Sequence, residues 1–273
     1  MSAPDSRELR DAAVELARAA GAILREGHGR AHVPEHKGRI DLVTEYDRRS
    51  ERLVLEGIRQ RYPGHAILAE ESGAHAGEAK DVAGAVRWVV DPLDGTTNFT
   101  HNYPFFCVSI GAESGGRLAA CAVYDPVRDE MFAAAAGHGA TLNDRAIHVS
   151  DIASVDDALL VTGFPYDVRE HPERSLPLFG TFLARAQAIR RDGSAALNLC
   201  YLACGRFDGF WELSLSPWDM AAGVLLVREA GGLVTGYDGG EFQLDGREIL
   251  ASNATLHEEM KTIIAAGRGP AGS

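Results

Sequence analysis

The alternation of apolar and polar positions divides the chain into a helical start, a strand-rich middle and a mixed second half. Leu9, Ala13, Leu16, Ala20 and Ile23 recur at helical spacing over residues 5–27, and Gly27 and Gly29 end the pattern. Residues 40–44 predict a short strand. Thr44 then caps a helix over residues 46–61, with Asp47 in its first turn where a carboxylate favours the helix dipole. Residues 66–69 form an apolar strand that ends at Glu70, and residues 72–84, rich in Gly and Ala, predict a mobile loop. Residues 86–90 are β-branched and aromatic apart from Arg87 and predict a strand that stops before Pro92. Residues 105–113 and 117–124 are strands joined by a hairpin through Ser114-Gly115-Gly116. Residues 130–136 and 141–149 extend that antiparallel meander.

In the second half, strands are predicted at residues 159–162, 188–190, 207–212, 233–235 and 249–252. Helices are predicted at 172–186, 197–205, from Ser216 onward and from Thr255 onward. The break near Ser150 suggests two intimate lobes, residues 1–150 and 151–273. His28, His32 and His36 are spaced by four, but Gly29 and Pro34 break the helix that would align them, so they read as solvated loop histidines.

Composition narrows the function. With 273 residues and a formal net charge of −12, the chain can bury a large core but lacks the cationic surplus that sequence-independent nucleic-acid binding needs. Cys107, Cys121, Cys200 and Cys204 show neither a zinc spacing nor a redox Cys-x-x-Cys pair. No apolar run spans a bilayer and no signal peptide is evident, so a cytoplasmic protein with no membrane partner is expected.

The chemistry concentrates after the residue 86–90 strand, in Asp91-Pro92-Leu93-Asp94-Gly95-Thr96-Thr97-Asn98-Phe99. Pro92 holds Asp91 extended, Gly95 lets backbone approach a ligand, and Thr96 to Asn98 are helix-starting residue types that leave N–H groups for an anion. Two carboxylates so close repel unless a cation separates them, and oxygen ligands favour Mg²⁺ or Mn²⁺. An Asp-rich turn with Asp91 as cap and Asp94 solvated is the plainer alternative. Ser216-Pro217-Trp218-Asp219 is likewise a sound helix start with a capping-box carboxylate, and Arg191-Asp192-Gly193-Ser194-Ala195-Ala196 is an ordinary serine-capped one.

The Asp91–Phe99 stretch resembles the signature of the inositol monophosphatase family. So do Glu70-Glu71-Ser72, the second signature Trp218-Asp219-Met220-Ala221-Ala222-Gly223, and Glu229-Ala230-Gly231-Gly232; the likeness runs over about residues 41–252. It implies an α+β fold, a layered αβαβα sandwich of the inositol monophosphatase and fructose-1,6-bisphosphatase type, with the site between two lobes. It implies Mg²⁺ held by Glu70, Asp91, the Leu93 carbonyl, Asp94 and Asp219, with Mn²⁺ as a substitute. Glu70 and Thr96 would position the attacking water, and Asp47, last residue of the Asp41 to Asp47 element, would steady Thr96. Substrate contacts fall on Asp94, Gly95, Thr96, Arg191, Gly193, Ser194, Ala195, Glu212 and Asp219. Arg191 matches bacterial members, and Lys37 lies near the family's basic loop residue. The implied reaction is hydrolysis of inositol 1-phosphate, with histidinol phosphate or fructose 1,6-bisphosphate as alternatives on the same site. Lithium inhibition and a homodimer also follow from the likeness alone. A scaffold that kept the fold without the chemistry would be expected to lack one of these ligands.

Overall fold

The structure is a computed structural model that describes residues 5–30, 34–37, 42–77 and 86–267. The chain runs α1 (Ser6–Gly27), β1 (Glu35–His36), β2 (Leu42–Val43), α2 (Glu45–Arg61), β3 (Ala66–Ala69), β4 (Gly73–His75), β5 (Val86–Asp94), α3 (Thr96–Thr100), β6 (Cys107–Ser114), β7 (Arg117–Asp125), β8 (Glu130–Ala135), β9 (Ala140–Leu142) and β10 (Arg145–Ile147). It continues β11 (Leu159–Thr162), α4 (Leu176–Leu183), β12 (Ala188–Arg190), α5 (Ala195–Ala203), β13 (Gly209–Leu213), α6 (Pro217–Glu229), β14 (Gly232–Thr235), β15 (Glu248–Asn253) and α7 (His257–Gly267).

Strands β10-β9-β8-β7-β6-β5-β3-β4 form one sheet and β12-β11-β13-β15-β14 a second. The first is antiparallel except where β3 runs parallel to β5, as are β11 with β12 and β13 in the second. Helices α1 and α2 cover one face of the larger sheet, burying Leu9, Leu16, Leu24, Val54 and Ile58 against Trp88, Val90, Val108 and Ile110. Helices α5 and α6 lie between the sheets, where Leu197, Leu199, Met220 and Val224 meet Cys121, Phe132, Phe210 and Ile249. Helices α4 and α7 cover the outer face of the smaller sheet through Leu178, Phe182, Met260 and Ile264. The layers therefore run α, β, α, β, α, the sandwich implied by the family resemblance. Both faces of β6 and β7 are covered, which explains why their apolar runs are almost unbroken.

Several expectations change. The strand carrying Asp91 does not stop at Val90: β5 continues to Asp94, because the pairing with β6 slips between Asp91 and Asp94 and the missing N–H of Pro92 falls in that bulge. The segment read as a mobile loop from Ser72 contains β4, whose backbone pairs with β3; residues 78–84 lie outside the described ones. Residues 141–149 are not one strand. Asn143 and Asp144, at φ 47° and 63°, turn β9 back into β10. The helix expected at 172–186 is a 3-10 turn at Pro172–Arg174 followed by α4, which ends at Leu183. His28 is not a solvated loop residue: it is half-buried at the end of α1 with its ring 5.2 Å from Phe106. His32 and the side chain of His36 lie outside the described residues.

Helix α6 approaches both neighbours closely at glycines. A Cβ on Gly223 would stand 2.5 Å from Leu199 Cβ of α5, and one on Gly111 of β6 would stand 3.0 Å from Ala221 Cβ of α6. Gly223→Ala should therefore lower unfolding stability by about 1–3 kcal/mol through overpacking, read from urea denaturation. Stability equal to the unaltered protein would show that this helix pair can separate freely.

Candidate active site

The cleft between the sheets is a cavity of about 680 Å³. Glu70, Asp94, Asp219 and Glu212 border it, with Gly95 to Asn98, Gly193 to Ala195 and Arg191 around them. Asp91 is 2% exposed beneath this floor and its Oδ1 accepts from Leu93 N–H at 3.0 Å, so the capping role of the plainer alternative is real. Asp94 is half-buried and held by the protein, not free in solvent. Its Oδ2 accepts from Ser194 Oγ and Ala196 N–H, both at 2.7 Å, which places it on the start of α5. Asp219 Oδ2 accepts from Ser216 N–H at 2.7 Å, so Asp219 belongs to the start of α6.

Asp47 is fully buried in the first turn of α2. Its Oδ2 accepts from Thr44 N–H at 2.8 Å and Thr44 Oγ1 at 2.5 Å. Thr96 Oγ1 stands 3.0 Å from both Asp47 Oδ1 and the Leu93 carbonyl oxygen, the pairing of Asp47 with Thr96 that the family resemblance implied. Lys37 Nζ reaches Glu70 Oε1 at 3.0 Å and Glu71 Oε1 at 2.5 Å. Asp41, at the start of that sequence element, lies outside the described residues.

Electrostatics follow from this crowding. Burial pushes Asp91 well above the usual carboxylate range, and Glu70, Asp94 and Asp219 add repulsion. Burial also raises Asp219, with Asp94 as the next cause, and pushes Asp94 up to about 6 against the bonds from Ser194 and Ala196. Glu70 is raised by burial with Lys37 opposing, while Glu71 reaches about 7. Asp47 is raised by burial despite its three hydroxyl and N–H donors. Burial pulls Lys37 down, but Glu70 and Glu71 push it up by more.

Glu212 is raised to about 8 by burial, with Arg191 acting against the shift. Its carboxylate lies against Gly163, where a Cβ would meet Glu212 Oε1 at 2.0 Å. The Arg191 guanidinium sits 6.0 Å over the Phe164 ring, and Gly193, at φ 86°, leaves room for Arg191 and Asn98.

Among the described residues, no three His, Cys, Asp or Glu side chains already surround one point as a metal cage. The donor chemistry nevertheless fits a hard divalent cation. Asp91 is buried and Glu70, Asp94 and Asp219 are half-buried oxygen donors that repel it, and each has one oxygen engaged by a protein N–H, hydroxyl or ammonium group.

Sequence reading missed the rim. Tyr166, Arg169, Asn198 and Arg247 border the cavity, as does His101 at the end of α3. These come from separate loops and helices that only the fold brings together. It also missed that Asn98 joins the halves: its Nδ2 donates to the carbonyl oxygens of Phe105 and Asp192, each at 2.7 Å.

A five-layer sandwich with a cleft of oxygen ligands, a buried Asp–Thr pair and three helix starts around them defines a phosphoester-hydrolase type of site. Residues 5–268 match the inositol monophosphatase family. Inositol-1-monophosphatase from Synechocystis is 47% identical over 97% of this chain and 91% of its own length. The Nus factor SuhB of Escherichia coli is 42% identical over 91% of this chain and 92% of its own. The solved inositol monophosphatase of Anabaena superposes with a TM-score of 0.86 at 45% identity, covering 95% and 96% of the two chains. The chain belongs to the inositol monophosphatase family and is a phosphatase.

The raised acids set a pH dependence. A carboxyl that holds its proton more tightly folded than unfolded contributes stability below its unfolded pKa and loses it as pH rises through the folded value. With chelator present, melting temperature should fall as pH rises from about 4, the unfolded carboxylate value, to about 9, and Glu212→Gln should lessen the upper part of that fall. Mg²⁺ should raise the melting temperature more at the alkaline end. A profile that is flat in chelator, or a metal effect independent of pH, would contradict these assignments.

Proposed function

We propose that the protein hydrolyses phosphate monoesters of small polyols or sugars, with inositol 1-phosphate the first choice, and that Mg²⁺ is its cofactor, Mn²⁺ substituting. The observation that carries this reading is the convergence of Glu70, Asp94 and Asp219 on one cavity with Asp91 beneath and the Asp47–Thr96 pair beside it. Glu70, Asp91, Asp94, Asp219 and the Leu93 carbonyl would hold the metal. When bound there, it supplies charge for the phosphate oxygens and the leaving alkoxide and lowers the pKa of the attacking water.

This chain's own residues do the rest. Asp47 fixes the Thr96 hydroxyl, which orients the attacking water, and Glu70 takes its proton. The N–H groups of Gly95 and Thr96 hold the phosphate. Ser194 keeps Asp94 in place by its 2.7 Å bond, so that Asp94 faces substrate without swinging. Arg191, Gly193, Ala195 and Glu212 receive the alcohol part. A homodimer, lithium inhibition and a cytoplasmic location belong to the same reading through the family likeness. Relatives named Nus factor raise a regulatory role, but every acid that the chemistry needs is in this chain, so catalysis is the reading adopted.

The test is phosphate release from inositol 1-phosphate, histidinol phosphate, fructose 1,6-bisphosphate and 3′-phosphoadenosine 5′-phosphate, with Mg²⁺ and with chelator. Metal should be required, and Asp94→Asn should lower kcat/KM by about a thousandfold or more. Another ester turned over best changes the substrate and leaves the site assignment intact. Folded protein that cleaves none of them with either metal refutes the reading. Ser194→Ala should lower kcat about tenfold, since removing one donor to Asp94 loosens it without removing its charge; an unchanged kcat would show that Ala196 alone suffices.

A further inference from the structure

Four strands of the smaller sheet meet the cleft at one edge. β11 runs parallel to β12 and β13, with Val161 opposite Arg190 and Thr162 opposite Trp211, and β15 runs back from Glu248 opposite Leu213. The segments leaving β11 and β12 and the one entering β15 bring Arg169, Arg191 and Arg247 to the border of one cavity, and all three are exposed. Arg191 already has a place in the proposed site. Arg169 and Arg247 have none, and neither makes an ion pair among the described residues, although acids stand close to both in the sequence. Asp167 is taken by Arg174 at 2.7 Å, and Glu248 Oε1 accepts from Tyr237 N–H at 3.1 Å. Arg247 Nη2 stands 3.4 Å from a neutral oxygen, the Ser214 carbonyl. Arg48, Arg185 and Arg206, also exposed, are matched by Glu35, Glu259 and Glu130.

An unpaired guanidinium is always charged, and its field reaches into water undiminished by a partner. A phosphate ester approaching this protein meets a net charge of −12 and, in the cleft, the carboxylates of Glu70, Asp94, Glu212 and Asp219. Cations at the floor would answer those acids, but a charge more than about 8 Å away is largely screened at physiological salt, so the charges at the mouth govern the approach. A cleft lined by one sign of charge focuses field lines and speeds the entry of ligands of the other sign. We propose that Arg169 and Arg247 form an electrostatic entry rim that draws anionic phosphate esters out of water into the cleft, without contact to the reacting phosphate. The assignment rests on the phosphatase reading and adds to it the encounter that precedes binding.

The test measures kcat and KM for the best ester of the panel above, at saturating Mg²⁺ and over a range of NaCl. It compares unaltered protein with the double variants Arg169→Gln, Arg247→Gln and Arg169→Lys, Arg247→Lys. Any effect of salt on the metal is common to all three. For unaltered protein kcat/KM should fall about tenfold between about 20 mM and about 500 mM NaCl, with kcat within about twofold. The glutamine pair should be about fivefold lower in kcat/KM at the low end and within about twofold of unaltered protein at the high end. The lysine pair should keep the unaltered salt dependence, since attraction at a distance uses charge and not the guanidinium fork. Melting temperatures should be alike, because both side chains are exposed. The same salt dependence in unaltered and glutamine-pair proteins would overturn the proposal. A loss that persists at high salt, falls on kcat, is not restored by lysine, or comes with a lower melting temperature would make the arginines contact or structural residues and overturn it too. If the unaltered protein cleaves no ester at any salt, the phosphatase reading itself falls and takes the rim with it, an outcome distinct from active protein whose turnover ignores salt.

Discussion

The site depends on keeping like charges together out of water. Asp91, Asp94 and Asp219 are each pushed upward by burial and then by one another, and the cation within contact of this group, Lys37, touches its edge at Glu70 and Glu71. Two carboxylates at close range in a medium of low dielectric repel by several kcal/mol, so such a group persists only if the surrounding structure clamps it. The clamps are helix starts. Asp47 sits in the first turn of α2, Asp94 on the start of α5 and Asp219 in the first turn of α6. Each receives N–H groups that have no partner within their own helix, together with the positive end of the helix dipole. What these ends leave uncompensated is the charge that a divalent cation would take up.

This explains why the architecture has a helical layer between two sheets. The larger sheet delivers Asp91 and Asp94 from the end of β5, and the smaller sheet delivers Glu212 from β13. Helices α5 and α6 carry Ser194 and Asp219 into the gap. Their mutual position is fixed where Gly223 admits Leu199, and their position on the larger sheet where Gly111 admits Ala221. The bulge at Pro92 then lies at the end of β5 just where Asp94 meets the start of α5. Asn98 closes the junction by spanning Phe105 and Asp192.

Much of this was legible in the chain because it is local. Caps such as Thr44 with Asp47 and Ser216 with Asp219 are written in four consecutive residues, and the apolar runs of β6 and β7 mark strands whatever covers them. The proposed metal ligands were named by resemblance, from spacing that physical rules alone also allow in ordinary turns. Errors arose where local rules gave two answers. Pro92 ends most strands but is tolerated in a bulge, and Asn143-Asp144 needed left-handed backbone at two residues that are not glycine. The rim was not legible at all: Arg169, Asn198 and Arg247 carry no local signature, and only the assembled fold makes them neighbours.

For the proposed hydrolysis, the geometry also divides the labour between the two acids assigned to the attacking water. Asp47 accepts from Thr44 N–H, Thr44 Oγ1 and Thr96 Oγ1, so its acceptor capacity is largely taken and it is fully buried. It is a poor partner for a proton that has to come and go. The Thr96 hydroxyl has one proton and two acceptors at the same 3.0 Å, Asp47 Oδ1 and the Leu93 carbonyl. A hydrogen bond to a charged oxygen is the stronger of the two, so the proton goes to Asp47. Two consequences follow from that single choice. The Leu93 carbonyl would keep its lone pairs for a cation, and the Thr96 oxygen would keep its own for a water. Glu70, which borders the cavity and meets Lys37 through one oxygen, is then the acid left able to accept that water's other proton.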